Sequence, residues 1–194
     1  MSGRAAMQPL RTLVGNAAMA ELVQQRAPAP ASGVSAREFR GALSKLATSV
    51  TVITTGGEAG LAGVTCSAVC AVSDDPAMVL VCVHGKSVTN IAIKTNGVLC
   101  VNCLQAEQRD LSQAFAGFGN IPMQERFALA DWGTLITGAP HCKGALISLD
   151  CEVAEVRDMG THSIFIAKVL ATAESEGGEP LLYQRRTYAT TRAL

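Results

Sequence analysis

Histidine is scarce in this chain, with 3 residues in 194, so triad or histidine-rich metal chemistry has little material to work with. Charge is thin as well. Only 16% of residues are charged, and 16 basic residues balance 16 acidic ones to a formal net charge of +0. That balance leaves no electrostatic footprint for nucleic acid or an anionic membrane. It does not exclude a local anion site built from backbone N–H groups and hydroxyls. The chain carries no G-x-G-x-x-G after a strand and no G-x-x-x-x-G-K-[ST], which argues against Rossmann and P-loop nucleotide binding. G-x-S-x-G and H-E-x-x-H are missing too. No run reaches about 18 apolar residues, so no transmembrane helix is predicted. No internal repeat of fixed period is present.

What is there is apolar. Hydrophobic residues make up 48% of the chain, enough for one core, and the length suits one domain plus an appendage. The 7 cysteines are an odd number, whereas a secreted disulfide framework is usually even. Cys70, Cys82 and Cys100 lie inside apolar runs, where a thiol behaves as a small hydrophobe. We read a reducing, cytoplasmic setting. Cys100 and Cys103 form a lone C-x-x-C without the second pair that zinc usually needs; His141-Cys142 is a poor substitute. On a strand over 98–103 the two thiols face opposite sides, so they are assigned to packing and no metal is expected.

Residues 1–34 read as an extension. Arg4 and Arg11 precede a mildly apolar stretch ending in Ala18-Met19-Ala20, a faint export-signal outline interrupted by Gly15 and Asn16. A short amphipathic or disordered tail is the preferred reading, and Ala27-Pro28-Ala29-Pro30-Ala31-Ser32-Gly33 has the composition of a linker. The main domain, 35–194, opens on Ser35 with Glu38 as its capping-box partner. Phe39, Leu43 and Leu46 give a helical spacing to about Ala47, and that face is expected to pack.

Strands follow. The β-branched run Val50–Thr55 ends at Gly56-Gly57. Gly63–Ser73 reads as one strand, Asp74-Asp75-Pro76 as a turn, and Met78–Val83 as a third strand. Ser87–Lys94 is helical, Val98–Leu104 a strand, and Gln105–Phe115 a helix. Residues 117–143 read as a long loop. Three further strands are expected at Ala145–Val156, His162–Ala173 and Leu181–Tyr188. About seven strands with a few interspersed helices favour an antiparallel barrel over a β-α-β sheet.

Three segments carry candidate chemistry. In Gly63-Val64-Thr65-Cys66-Ser67-Ala68-Val69-Cys70-Ala71-Val72-Ser73, small and hydroxyl residues fill a would-be central strand. Either a flat ligand approaches the backbone there, or the segment is a tightly packed seam such as a dimer interface. Ser87, Thr89 and Asn90 open a helix, as a phosphate site or with Ser87 as a plain N-cap. His162 heads an apolar strand, either facing a cleft near a nicotinamide or a developing charge, or as a surface strand-end histidine.

Together these segments resemble the flavin reductase family with the split-barrel, FMN-binding fold. The stretches that carry the resemblance are Phe39-Arg40-x-Ala42-Leu43, Val50–Thr55, Gly63-x-Thr65-x-Ser67-Ala68-Val69-Cys70-x-Val72-Ser73-x-x-Pro76, Val101-Asn102-x-Leu104, Phe115-Ala116-Gly117, Glu125-Arg126-Phe127, Gly160-Thr161-His162 and Leu181-Leu182-Tyr183-x-x-Arg186-x-Tyr188. They run in family order from about 37 to 192. The nearest look is to reductase components of two-component hydroxylases of 4-hydroxyphenylacetate, phenols or chlorophenols; reductases of pyrimidine breakdown and corrin synthesis look similar.

The resemblance implies a mainly β fold with flanking helices, an antiparallel Greek-key split barrel, acting as a homodimer. It implies an NADH- or NADPH-dependent reductase of FMN or FAD that supplies reduced flavin to a partner oxygenase. By the same analogy Thr65, Cys66, Ser67 and Ala68 line the isoalloxazine and ribityl, and Ser73 with Ser87, Thr89 and Asn90 hold the phosphate. His162, Arg186 and Phe115 lie near the nicotinamide. Many members carry Asp where this chain has Thr161, and Gly where it has Ala167. Hydride then passes from nicotinamide C4 to flavin N5, so the protein needs positioning more than acid–base groups. Two alternatives stay open: reduction of another acceptor such as a cobalt corrinoid, and a non-catalytic flavin-binding or sensor protein.

Overall fold

The computed structural model describes residues 33–193. The extension expected over 1–34, with its linker and export-signal outline, lies outside the described residues except for Gly33 and Val34. Two compact units divide at Arg40 and Gly41.

Helix α1 (Ala36–Leu43) starts where the S-x-x-E spacing places it. The Glu38 amide donates to Ser35 Oγ at 3.2 Å, and the Ser35 amide donates to the Glu38 carboxylate at 2.9 Å. These bonds satisfy donors at the helix start; the Ser35 hydroxyl, donating to the Glu38 carboxylate at 2.7 Å, and then the Ser35 amide hold that carboxyl below its usual range. The expected packing face is corrected: no residue of α1 is buried, and Phe39, Leu43 and Leu46 are exposed. Their spacing makes an apolar stripe, but burial does not follow from spacing alone.

From Gly41 onward the chain builds strands β1 (Thr48–Ser49), β2 (Thr51–Thr55), β3 (Ala62–Cys66), β4 (Val69–Asp74), β5 (Ala77–His84), β6 (Val98–Cys103), β7 (Trp132–Thr134), β8 (Pro140–Cys142), β9 (Ile147–Met159), β10 (His162–Glu174), β11 (Leu182–Gln184) and β12 (Thr187–Ala189). Helices α2 (Val88–Asn96), α3 (Arg109–Phe115) and α4 (Met123–Phe127) are set between them. Seven strands form one sheet in the order β3-β2-β6-β9-β10-β5-β4, and every pairing in it is antiparallel.

The two edges of that sheet, β3 and β4, are consecutive in the chain and joined only by Ser67 and Ala68. Three Cα steps span at most about 11 Å, so the sheet must curl until its edges meet. They meet without pairing. The seam stays open as a split, which gives the mainly antiparallel split-barrel architecture its form. The expectation of one strand over Gly63–Ser73 is corrected here. The chain leaves β2 at Cys66 and joins β5 at Ala68, whose carbonyl accepts from the Cys82 amide at 3.0 Å.

Inside the curl lie Ile53, Val81, Leu99, Val101, Cys151 and Phe165. On β5, Val79, Val81 and Val83 point inward at the period of two that a strand dictates. A second core gathers Val52, Leu104, Leu111 and Phe115, with Phe127 and Trp132 edge-on to the Phe115 ring at 5.2 and 5.8 Å. The loop expected over 117–143 is thus corrected to contain α4 and the β7–β8 hairpin. These elements are too short for their periodicity to register, and their aromatic contacts hold them.

Gly63 fixes how the two cores meet. A Cβ there would lie 2.5 Å from Phe115 Cε1 and 2.8 Å from Cδ1, and the ring is buried against Phe127 and Trp132. Gly63→Ala is expected to lower stability by about 1–3 kcal/mol, the usual cost of overpacking. Urea unfolding measures it; a change under about 0.5 kcal/mol would show that the ring gives way freely.

Candidate functional site

A cavity of about 500 Å³ opens beside the split. One wall is the end of β3 and the start of the joint, Thr65, Cys66 and Ser67. The second is the outer face of α3 and its continuation, Arg109, Ser112, Gln113 and Ala116. Those positions recur at i, i+3, i+4 and i+7, one face of a helix, while Leu111 and Phe115 are buried. The third wall is the β11–β12 hairpin with Tyr183, Arg186, Thr187 and Tyr188; Val50 and Phe118 complete the lining.

The walls are tied together. The Thr65 hydroxyl donates to the Ser112 carbonyl at 2.6 Å. The Ser112 hydroxyl and the Tyr188 phenol share a hydrogen bond of 3.0 Å. The Arg109 guanidinium sits 5.5 Å above the Tyr188 ring, within cation–π range, and Tyr183 meets Tyr188 edge-on at 5.2 Å.

Cys66 belongs to the joint itself. Its thiol donates to the Cys82 carbonyl and accepts from the Ala68 amide, both at 3.3 Å. Burial pushes this thiol up to about 11 from 9.0, so near neutral pH it is a protonated wall group. Because the thiolate is the nucleophile, alkylation of native Cys66 at pH 8 is expected about a hundredfold slower than in the unfolded chain. Peptide mapping after timed iodoacetamide treatment reads this directly; equal rates would contradict the burial argument. All seven cysteines are free, and Cys100 and Cys103 are both raised by burial. Among the described residues no group of His, Cys, Asp or Glu is arranged to hold a metal.

The hairpin replaces the single strand expected over Leu181–Tyr188. Tyr183 pairs with Tyr188 and Gln184 with Thr187, leaving Arg185 and Arg186 as the turn. Their φ values are 50° and 63°, the left-handed pair that Asn-Gly normally supplies in such a turn. Non-glycine residues there cost about 1–3 kcal/mol each. The Arg185 amide donates to the Ser44 carbonyl, which helps pin the turn.

Of the residues anticipated from the sequence, Thr65, Cys66, Ser67 and Arg186 line this cavity. Ala68 adjoins it. Phe115 lies behind the wall, 1% exposed, and not in it. Ser73 pairs with Met78 beyond a bulge in β4. Ser87 caps α2 by accepting from the Thr89 amide at 3.2 Å, while Thr89 and Asn90 are each only 1% exposed. The Asn90 amide donates to the Val83 carbonyl at 3.1 Å, so it ties α2 to β5.

His162 stands at the head of β10 opposite His84, with ring centroids 5.3 Å apart. The Thr161 hydroxyl meets His162 Nδ1 at 2.8 Å. Beside it Asp158 accepts from Lys94 and Ser163, and both bonds hold its carboxyl below the usual range. From Ala68, this histidine pair is reached along the sheet. Cys82 pairs with Ala68, His84 is two residues further, and His162 lies on the next strand, so two strand spacings of about 4.8 Å and a rise of about 7 Å along the strand separate Ala68 from His162. Sequence reading passed over Arg109, Ser112, Gln113, Ala116 and Phe118; the helical spacing of the first four was the signal that could have found them.

Comparison with known proteins places this geometry. The profile of the flavin reductase like domain matches residues 43–192. The FMN reductase (NADH) RutF 2 of Methylorubrum extorquens is 46% identical over 155 residues, covering 80% of this chain and 89% of that protein. The reductase component of 4-hydroxyphenylacetate 3-monooxygenase from Pseudomonas aeruginosa is 40% identical over 150 residues, covering 77% and 88%. Among solved structures, the Streptomyces globisporus NADH:FAD oxidoreductase SgcE6, in complex with NAD and FAD fragments, matches with a TM-score of 0.74 at 26% identity, covering 84% of this chain and 98% of that one.

Proposed function

The chain belongs to the flavin reductase-like domain family, and on that premise we propose that it is an NADH:flavin oxidoreductase that releases reduced FMN or FAD to a partner oxygenase. The observation that carries this reading is the cavity. Its lining offers backbone, hydroxyls, two phenols, a thiol and two guanidinia, and no carboxylate. That donor set fits a flat, hydroxylated, anionic cofactor and holds no carboxylate or histidine to serve as general base in a hydrolysis.

When bound, the flavin and the nicotinamide supply the chemistry, a hydride passing between atoms that belong to the cofactors. The protein's residues position and insulate. Thr65 to Ala68 present backbone to the ring and side chain of the flavin. Thr65 is fixed by Ser112, and Ser112 by Tyr188, so three walls hold one shape. The neutral Cys66 thiol adds no negative charge beside the ligand. His162 and Ser87 lie along the sheet from this cavity, where the extended parts of a dinucleotide or the flavin phosphate can reach them.

The names of the relatives favour NADH as donor, with FMN in the RutF proteins and FAD in SgcE6. A partner in aromatic breakdown is supported by the 4-hydroxyphenylacetate relative. A homodimer completes the reading. The test separates reductase and oxygenase by a membrane permeable only to small molecules, with NADH on the reductase side. Hydroxylated product on the oxygenase side is expected; NADH turnover without product there would remove the free-flavin carrier role.

A further inference from the structure

We infer that Arg186, together with Arg109, binds a phosphate group of the nucleotides that enter the cavity, and so sets its specificity. The inference rests on the flavin reductase reading and deepens it. Both guanidinia line the same cavity, whose lining contains no aspartate or glutamate. Among the described residues the ion pairs are Lys94–Asp158, Lys143–Asp131 and Arg157–Glu155, and neither arginine belongs to one. The charged side chains that line the cavity are thus both cationic, although the chain as a whole is neutral.

Local folding does not account for Arg186. It sits at φ 63° in a two-residue turn, where glycine or asparagine would fit without strain. Arg109 is parked over the Tyr188 ring, an arrangement that orients its guanidinium while leaving the N–H fork directed elsewhere. At the start of α2 there is no guanidinium: the Ser87 hydroxyl accepts from the Thr89 amide, the Asn90 amide donates to Val83, and Thr89 is buried. The arginine fork suits a phosphate, and two arginines line this cavity.

The phosphate can belong to the flavin or to the dinucleotide, and the test separates them. Arg186→Gly removes the guanidinium while suiting the turn, so its unfolding midpoint should rise or stay unchanged. Dissociation constants are measured by fluorescence titration for FMN, riboflavin, NADH and NADPH. Without the charge-assisted hydrogen bond from the guanidinium, the phosphate-bearing ligand should bind about ten- to hundredfold more weakly. Weaker FMN with riboflavin unchanged assigns the flavin phosphate. Weaker NADH or NADPH with both flavins unchanged assigns the dinucleotide. Arg186→Lys should recover part of the loss, and Arg109→Gln should reproduce it. Equal changes of less than about twofold for all four ligands would overturn the inference while leaving the reductase reading standing. Unsubstituted protein that binds neither flavin nor dinucleotide would overturn both.

Discussion

Asn102→Leu is expected to destabilise the protein by more than about 3 kcal/mol, or to prevent folding. Asn102 is wholly buried on β6. Its amide donates to the Val52 carbonyl at 3.0 Å and to the Thr54 hydroxyl at 3.1 Å. Its oxygen accepts from the Cys142 amide at 2.7 Å and the Ser148 hydroxyl at 3.0 Å. One side chain thus joins β2, β8 and β9 to β6. Leucine has the same number of side-chain heavy atoms and greater bulk, so it leaves no cavity and adds some overpacking. What it leaves are buried groups without partners, each costing about 1–3 kcal/mol. Thr54 is partly spared because its hydroxyl also bonds the Pro140 carbonyl. The Cys142 amide has no such freedom. Urea unfolding of the variant checks this, and a loss below about 1 kcal/mol would contradict it. Asn102→Asp should also destabilise: it keeps the acceptor for Cys142 and Ser148 but removes the donors toward Val52 and Thr54 and buries a carboxyl oxygen against the Val52 carbonyl.

Phe115→Ala is expected to cost about 3–5 kcal/mol and to weaken ligand binding as a consequence. The ring fills the space between Gly63, Phe127 and Trp132. Without it, α3 loses its anchor, and Ser112 no longer holds Thr65 and Tyr188 in one arrangement. The family resemblance implies that this residue lies near the nicotinamide, and the two roles separate experimentally. A ring in contact with cofactor loses affinity at little cost in stability; a buried ring loses stability first. Phe115→Leu, expected to cost under about 1.5 kcal/mol, should retain most of the affinity. Paired unfolding and binding measurements decide between the roles.

Much of the fold was legible because it rests on strong local signals. The β-branched run Val50–Thr55 and the apolar Val98–Leu104 became β2 and β6 with small boundary shifts. The S-x-x-E cap at Ser35 started its helix. What stayed illegible depends on contacts distant in sequence. Nothing local in Gly63–Ser73 says that the chain changes partners at Ser67; that follows from Ala68 meeting Cys82. The hairpin at Arg185-Arg186 has no Asn-Gly or Asp-Gly signal, because its turn uses strained arginines. The five-residue α4 is too short to show a period.

The site divides in the same way. The small and hydroxyl residues of Gly63–Ser73 fitted a ligand site or a packed seam equally, the family resemblance assigned Thr65, Cys66 and Ser67 to a ligand, and these three line the cavity. Ser87 and Asn90 were found by type, but type does not tell a cap or an inter-element tie from a ligand donor. Arg109 and Tyr188 gain meaning only when α3 and the last hairpin come together, an arrangement no spacing in the sequence announces.

The central claim is tested most directly by following NADH absorbance with purified protein, first alone and then with FMN, FAD or riboflavin added. Negligible oxidation is expected from the protein alone, and sustained oxidation once FMN or FAD is present, at a rate that saturates with flavin. No oxidation with any flavin, in protein whose folding is confirmed, would contradict it.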